Sequence, residues 1–202
     1  MPWLKTKSVL LASFMMGNIL TMVAQETNWQ LKKDKDGIQV YTRDSEESDL
    51  DEFKGVGVIK ASVASLVSIL ENADLMHEWA NCEESKLISR NGNKQIHYTV
   101  TDVPFPLQDR DSYAQFEYEE VSNGVKVNIT ALPEYKPTNE GKTRIPFLKG
   151  YWLLERMSDR ETKVTYQLVA DPGGSIPTWL ANAGSVDTPF DTIKSLRDYL
   201  EK

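Results

Sequence analysis

Two histidines, His77 and His97, and a single cysteine, Cys82, are the side chains that we consider first for catalysis or metal binding. The histidines are 20 positions apart and do not form the HExxH pattern that places two imidazoles on one helix face, so we expect no metal site. His77 is followed by Glu78, but consecutive residues point to different faces of a helix, which argues against a catalytic His–carboxylate pair. One cysteine forms no intramolecular disulfide, and we expect a small buried thiol. We predict a protein without catalytic residues, metal or cofactor.

The N-terminal segment differs from the rest of the chain. Lys5 and Lys7 precede a run without charge over residues 9–24, which ends in alanine. A basic start, an apolar stretch and a small residue predict a signal peptide over residues 1–24, and hence a protein exported to the periplasm or outside the cell. Met22, at the third position before the cleavage point, is large for such a site. A membrane anchor formed by residues 9–24 therefore stays the alternative, although the run is short for a span.

The charge of the chain limits its partners. The net charge is −7 at pH 7, and loss of residues 1–24, which contain two lysines and no acid, takes it to −9. Nucleic acids and anionic lipid headgroups are bound by clustered Lys and Arg, so neither is an expected partner. A chain of 202 residues is long enough for one domain with a sizeable core, and we assign residues 25–202 to it. We expect this domain to be a monomer.

Alternating and helical patterns predict the order of the elements. Two Asn-Gly pairs, at 91–92 and 123–124, are strong hairpin signals, and a third hairpin surrounds the turn at 158–161. Residues 133–146 form a long loop. The predicted strands are 38–43, 53–60, 85–89, 94–101, 113–121, 125–132, 151–157 and 162–170, and the predicted short helices are 62–71 and 74–79.

The C-terminal segment, which follows these strands, has a stripe of apolar residues at helical spacing. Its apolar side chains recur at three- and four-residue spacing over residues 176–200, which predicts one long amphipathic helix. Gly184 and Pro189 predict a kink rather than an end, because the stripe keeps its phase across them. Gly55 and Gly57 alternate in a predicted strand, which indicates a bend or the close approach of another element.

Five stretches of the sequence resemble one known family. They are DGIQVYTR (36–43), FKGVGVIKAS (53–62), HEWANC (77–82), HYTVTDVPFPLQDRD (97–111) and the final helix. Over residues 28–200 the chain resembles the START domain, the steroidogenic-acute-regulatory-related lipid-transfer family. The resemblance implies an α+β helix-grip fold, in which a curved antiparallel β-sheet wraps around a long C-terminal α-helix and encloses an apolar cavity. It also implies a protein that binds a lipid or other apolar molecule, with transient membrane contact, and that is not an enzyme.

The candidate ligand-binding residues are one histidine, which the resemblance places inward, and five apolar or aromatic side chains. By its position in the strand, the side chain of His97 points inward, where a neutral imidazole can hydrogen-bond a hydroxyl or headgroup of the ligand. The alternative is a structural histidine whose hydrogen bonds are all made within the core. Sterol-binding members resemble each other in a buried Glu–Arg pair, at whose positions this sequence has His97 and Phe116, so sterol specificity is not expected. The candidate lining of the cavity is His97, Phe116, Val127, Tyr166, Trp179 and Ala183.

Arg110 and Asp111 end the proline-flanked loop 104–111. We predict that they form a structural ion pair that holds this loop to the sheet, in preference to contacting a ligand, because the arginine fork needs only a neighbouring carboxylate.

A closed cavity also needs a gate, and the candidates are the kink at 184–189 and the loop 133–146. The small residues at 181–185 leave space for a guest or allow close helix packing.

The rival function is a small hydrolase or cyclase of the same architecture acting on an apolar substrate. Such an enzyme needs polar groups that converge inside the cavity, and the sequence offers only His97 there. A purely structural interaction protein would instead have no cavity and an exposed apolar patch.

Overall fold

Ten strands and three helices make up the part of the chain that the computed structural model describes, which comprises residues 28–103, 106–176 and 178–201 without the side chains of residues 179, 180 and 183. The strands are β1 (Gln30–Lys35), β2 (Ile38–Arg43), β3 (Glu52–Ile59), β4 (Glu84–Asn91), β5 (Lys94–Thr101), β6 (Asp109–Val121), β7 (Gly124–Ala131), β8 (Lys142–Arg144), β9 (Phe147–Ser158) and β10 (Glu161–Asp171). The helices are α1 (Val63–Glu71), a 3₁₀ helix (Ala73–Glu78) and α2 (Thr178–Leu200).

All of these strands belong to one sheet. Its order is β1-β2-β3-β10-β9-β7-β6-β5-β4, with antiparallel neighbours throughout, and the short β8 pairs in parallel with β6. The turn between β1 and β2 shows why the chain reverses so tightly. Asp36 and Gly37 both have positive φ, 53° and 69°, and two such residues fit the type I′ turn whose twist matches that of the strands. The predicted α+β helix-grip fold, a curved antiparallel sheet around a long C-terminal helix, is confirmed.

Burial alternates from residue to residue along the strands, and this distinguishes an inner from an outer face of the sheet. In β2, Ile38, Val40 and Thr42 are buried while their neighbours are partly exposed, as the two-residue repeat of a strand requires. The inner, concave face carries the main core, which the two α-helices cover. Our strand predictions miss β1 and β8. β1 is an edge strand that is exposed along nearly its whole length and has no alternation to detect. β8 has only three residues and lies within the predicted loop 133–146.

The helices follow their local signals. Ser62 caps α1, since its Oγ accepts a hydrogen bond of 3.1 Å from the backbone N–H of Ser65. The C-terminal segment is one helix that continues through Gly184 and Pro189, as the unbroken apolar stripe predicts. It begins at Thr178, two residues later than the stripe.

Two glycines in β3 allow α2 to lie directly on the sheet. A Cβ added to Gly55 would lie 2.7 Å from Ile193 Cδ1 and 3.1 Å from Pro189 Cβ, and one added to Gly57 would lie 3.2 Å from Ile193 Cγ2. Ile193 itself is fully buried. The close approach predicted from the alternating glycines is therefore the contact with α2.

Replacing Gly55 by alanine is expected to destabilise the protein by about 1–3 kcal/mol, because a methyl group there overpacks a filled interface. Urea unfolding followed by circular dichroism measures this loss. Ile193→Val removes the Cδ1 atom that the new methyl group would meet, so the double variant should be more stable than the sum of the two single losses predicts, by about 1 kcal/mol. Simple additivity of the two losses would show that the helix does not rest on Gly55.

Candidate functional site

The candidate site is the inner face of the sheet, where the area covered by α1 adjoins the area covered by α2. α1 contacts β7 and β9, whereas α2 contacts β2, β3 and β10, so the areas meet at the β9–β10 pair. At this boundary Trp152 and Tyr166 lie opposite each other in register, and their rings stack with centroids 4.1 Å apart and planes 9° apart. Phe53 packs edge-on against Tyr166 at 5.2 Å, and Trp79 packs edge-on against Trp152 at 6.4 Å. We call Phe53, Trp79, Trp152 and Tyr166 the aromatic cluster.

The aromatic cluster contains one of the predicted lining residues and three that the sequence analysis missed. Tyr166 was predicted from the alternation in its strand. Trp152 is buried and inward-facing, but it lies in the run Tyr-Trp-Leu-Leu at 151–154, where no alternation of apolar and polar residues marks the inward side. Trp79 carries no such signal either, because it lies directly after the 3₁₀ helix and reaches the core through tertiary packing.

His97 lies in β5 on the inner face and is 1% exposed. Its imidazole stacks on Phe116 of β6, with ring centroids 4.1 Å apart, and its Nε2 lies 2.8 Å from the side-chain amide of Gln95. Burial, and secondly the positive charge of Arg90, lower the pKa of His97 to about 4. The imidazole is therefore neutral near pH 7. The structure thus brings together two of the predicted lining residues, His97 and Phe116.

Several buried polar atoms near this face have no hydrogen-bond partner among the described residues. They include His97 Nδ1, Ser112 Oγ, Trp79 Nε1 and Tyr118 Oη. Buried polar groups without a partner are rare and cost free energy, so each is a point where a bound molecule or water can be recognised. His97, Ser112 and Tyr118 lie on inward positions of β5 and β6, and Trp79 follows the 3₁₀ helix and packs into the same core.

Of the other predicted lining residues, the structure describes the side chain of one and not those of the remaining two. Val127 is fully buried in β7, directly opposite Trp152 of β9. The side chains of Trp179 and Ala183 lie outside the described part of the structure, and so do residues 104 and 105 of the proline-flanked loop. The predicted signal peptide, residues 1–24, also lies outside it.

Arg110 and Asp111 do not pair with each other, which corrects the predicted ion pair. β6 already begins at Asp109, so these consecutive residues point to opposite faces of the sheet. Arg110 faces inward and donates hydrogen bonds to the carbonyl oxygens of Gln108, Pro172 and Gly173. It therefore holds the segment before α2 to the end of the sheet.

Asp111 faces outward and pairs with an arginine far along the chain. Arg144 donates from Nε and Nη2 to the two carboxylate oxygens of Asp111, at 2.8 and 2.9 Å, and Asp111 is fully buried. Arg144 also donates to the carbonyl oxygens of Pro133 and Lys136. Tyr135 from the same loop packs on Tyr113 of the outer face. The loop 133–146 is thus fixed to the outer face, which argues against its predicted role as a gate to the inner face.

A pocket opens where α2 begins. It has a volume of about 590 Å³ and lies between the loop 45–50, the residues 171–174 that Arg110 holds, and the first turns of α2. The loop is tied across it by an ion pair of 2.7 Å between Glu47 and Lys149 and by a hydrogen bond of 3.1 Å from the Asp51 N–H to Asn182 Oδ1. Its described lining does not include His97 or Tyr166, so the predicted enclosed cavity stays a prediction.

The other reactive side chains have structural contacts. Ser85 Oγ accepts a hydrogen bond of 3.0 Å from the backbone N–H of His77 and lies 3.2 Å from Nδ1 of the same residue. Cys82 is partly buried, and burial raises the pKa of its thiol to about 11. Among the described residues, no group of His, Cys, Asp and Glu side chains is arranged to hold a metal ion.

The chain belongs to the START domain family, whose model matches residues 10–201. It is 37% identical over 177 residues to an uncharacterized protein of Pseudomonas aeruginosa, covering 87% of this chain and 88% of the relative. It is 25% identical over 186 residues to the phosphatidylcholine transfer protein of Rattus norvegicus, covering 87% and 86%. The crystal structure of a fragment, residues 25–204, of the STAR-related lipid transfer protein of Xanthomonas axonopodis superposes with a TM-score of 0.81 at 41% identity, covering 86% of this chain and 99% of that fragment.

None of the helices in the described part of the chain has both the length and the apolar character that a membrane span requires.

Proposed function

We propose that this protein binds one lipid molecule on the inner face of its sheet, beneath α2, and carries it between membranes. Two proteins that it resembles along most of its length are a phosphatidylcholine transfer protein and a STAR-related lipid transfer protein. The single observation that carries the proposal is the aromatic cluster, which lies where the areas covered by α1 and α2 meet. An acyl chain lying along this boundary would contact the flat ring faces and remain shielded from water.

Desolvation of the lipid supplies the binding free energy. Burial of roughly 300 Å² of apolar surface at about 25 cal/mol per Å² contributes several kcal/mol before the costs of ordering. This energy needs no charged group from the protein. It is consistent with a net charge of −7, which disfavours tight docking on anionic membranes.

The route to the inner face passes the pocket at the start of α2. The loop 45–50 is held there by the Glu47–Lys149 pair, whose side chains are 50% and 54% exposed, and exposed pairs contribute about 1 kcal/mol or less. The segment 171–174 on the other side is held more firmly, by Arg110. The loop 45–50 is therefore the gate in this proposal, in place of the loop 133–146.

We further propose that the protein is a binder and not an enzyme. The inward-facing imidazole of His97 is stacked on Phe116 and bonded to Gln95, and Arg110 donates to three backbone carbonyls. A hydrolase or cyclase would need an acid–base pair with free access to a substrate. Export by the segment 1–24 remains part of the proposal.

Quenching of tryptophan fluorescence tests lipid binding at the aromatic cluster. We expect the purified protein, after incubation with vesicles whose acyl chains are dibrominated, to carry one lipid by native mass spectrometry and to lose a large part of its emission, because bromine quenches an indole only on contact. Trp152→Phe should remove much of this quenching. Trp29→Phe is the matched control, since Trp29 packs against Arg43 and Lys54 and lies away from the cluster. A protein that takes up no lipid, or one quenched equally with and without Trp152, contradicts the proposal.

A further inference from the structure

Two of the unpartnered polar groups lie close together on the inner face. His97 of β5 is directly opposite Ala114 of β6, and Ser112 is the next inward residue along β6. Such diagonal neighbours have Cα atoms roughly 7–8 Å apart, so one small group of a ligand reaches both side chains. His97 and Ser112 are 1% and 3% exposed, and within the described part of the chain neither His97 Nδ1 nor Ser112 Oγ has a hydrogen-bond partner. We call these two residues the polar pair.

The hydrogen-bonding character of the polar pair follows from Gln95. When the Gln95 side-chain oxygen faces Arg90, at 2.7 and 3.1 Å, its nitrogen donates to the Glu71 carbonyl oxygen at 3.0 Å and to His97 Nε2 at 2.8 Å. This orientation is assigned from the hydrogen bonds it satisfies. His97 Nε2 is then an acceptor, so the neutral ring carries its proton on Nδ1. The pair offers one N–H donor and one hydroxyl, and no charge.

The inner face provides little to stabilise a charged ligand group. Along the buried stretches 95–101, 110–118 and 125–131 of β5, β6 and β7, all of them described, the charged inward side chain is Arg110. Three of its donors already point to backbone carbonyls at the end of the sheet.

Arg90 of β4 also reaches this face, but its guanidinium faces the Gln95 oxygen and pairs with Glu71 at 3.7 Å. Arg197 of α2 lies over Gly57 of β3, away from the polar pair, and donates to the Asp36 carbonyl oxygen. The undescribed side chains within residues 28–201 belong to proline, phenylalanine, tryptophan, leucine and alanine, so none of them adds a charge.

We propose that the polar pair binds an uncharged oxygen of the lipid, a hydroxyl or a carbonyl, and that the protein selects lipids with a neutral polar end over phosphate-headed ones. The inference rests on the proposed lipid binding and adds the class of lipid. An oxygen between the pair accepts from His97 Nδ1–H and exchanges a hydrogen bond with Ser112 Oγ. A phosphate placed there would lose its hydration without gaining a free cationic partner, because the Arg90 guanidinium is already bonded to Gln95 and paired with Glu71. That loss is far more costly than leaving a hydroxyl unpaired.

A competition among lipids with identical acyl chains tests this selectivity. The purified protein is incubated with dioleoylphosphatidylcholine vesicles containing equal minor fractions of dioleoylglycerol and dioleoylphosphatidic acid, and the bound lipid is identified by native mass spectrometry. We expect dioleoylglycerol to be enriched at least about 10-fold over its share of the vesicle lipid. Dominant binding of either phospholipid overturns the inference but leaves lipid binding intact. Uptake of no lipid overturns the proposed function itself.

Variants of the polar pair locate the selectivity. Ser112→Ala and His97→Phe should each lower the enrichment about 3- to 10-fold. Because Ser112 Oγ has no hydrogen-bond partner among the residues that the structure describes, Ser112→Ala should leave the stability of the lipid-free protein unchanged or raise it. This result separates a ligand contact from a structural one. Tyr98→Phe is the control, since it removes a hydroxyl from the outer-face cluster of the same strand. Unchanged enrichment in Ser112→Ala, which has no reason to misfold, would overturn the assignment of the pair.

Discussion

Replacing Asp111 by alanine is expected to lower the free energy of unfolding by about 3–5 kcal/mol. Asp111 is fully buried and Arg144 is 8% exposed, so the substitution leaves the guanidinium in the interior without its two carboxylate bonds. Removing one partner of a buried ion pair costs more than the pair itself contributes, because the remaining charge is neither solvated nor neutralised. Arg144 also holds the carbonyl oxygens of Pro133 and Lys136, so the loop 133–146 should loosen together with the pair.

Equilibrium unfolding in urea, followed by circular dichroism, measures this loss. Glu155→Gln is the matched control, because the Glu155–Lys163 pair has a similar separation of 2.9 Å but is 34% and 45% exposed. That variant should lose less than about 1 kcal/mol. Limited proteolysis of Asp111→Ala should cut first within residues 133–146. An Asp111→Ala protein as stable as Glu155→Gln would show that the buried pair does not hold the loop to the sheet.

The Asp111–Arg144 pair shows what local sequence patterns do and do not predict. Turn residues and alternation correctly predict the two hairpins whose turns are at 91–92 and 123–124, because those signals lie within a few residues of the structure they determine. The partner of Asp111 is 33 positions away in a segment that reads as a loop. Adjacency in the sequence favoured Arg110, but the extension of β6 to Asp109 places the two residues on opposite faces.

The aromatic cluster shows the same limit in the candidate site. A regular continuation of the turn that pairs Ser158 with Glu161 would place Tyr166 opposite Leu153. A bulge between Glu161 and Thr162 shifts the register by one residue, and Tyr166 faces Trp152 instead. Such a shift moves every partner to the other face, so the stacked pair cannot be derived from turn and alternation alone. β5 and β6, which carry His97 and Phe116, pair without a register shift, and both residues lie on the inner face, where the resemblance placed His97.

His97 should make the protein sensitive to acid. Its pKa is about 4 in the folded protein, lowered by burial and then by Arg90 and opposed by Asp74, whereas an unfolded histidine has a pKa of about 6.5. Between these values the unfolded chain binds more protons than the folded one, so the free energy of unfolding falls as the pH is lowered from about 6.5 to about 4. The contribution of His97 to this loss is up to about 3 kcal/mol, and below pH 4 it no longer grows.

Comparison with His97→Gln isolates this contribution, because the carboxylates that titrate in the same range are common to both proteins. Urea unfolding of the two proteins between pH 7 and pH 4 should give curves that converge as the pH falls, since glutamine can still accept from Gln95 but cannot take up a proton. The ring protons of His97 should titrate with a midpoint near pH 4 by NMR. Parallel stability curves, or a midpoint near 6.5, would mean that water reaches the imidazole. The polar pair would then lie in a solvated site, and the exclusion of charged lipid groups would lose its physical basis, since the desolvation of a phosphate is costly only where water is absent.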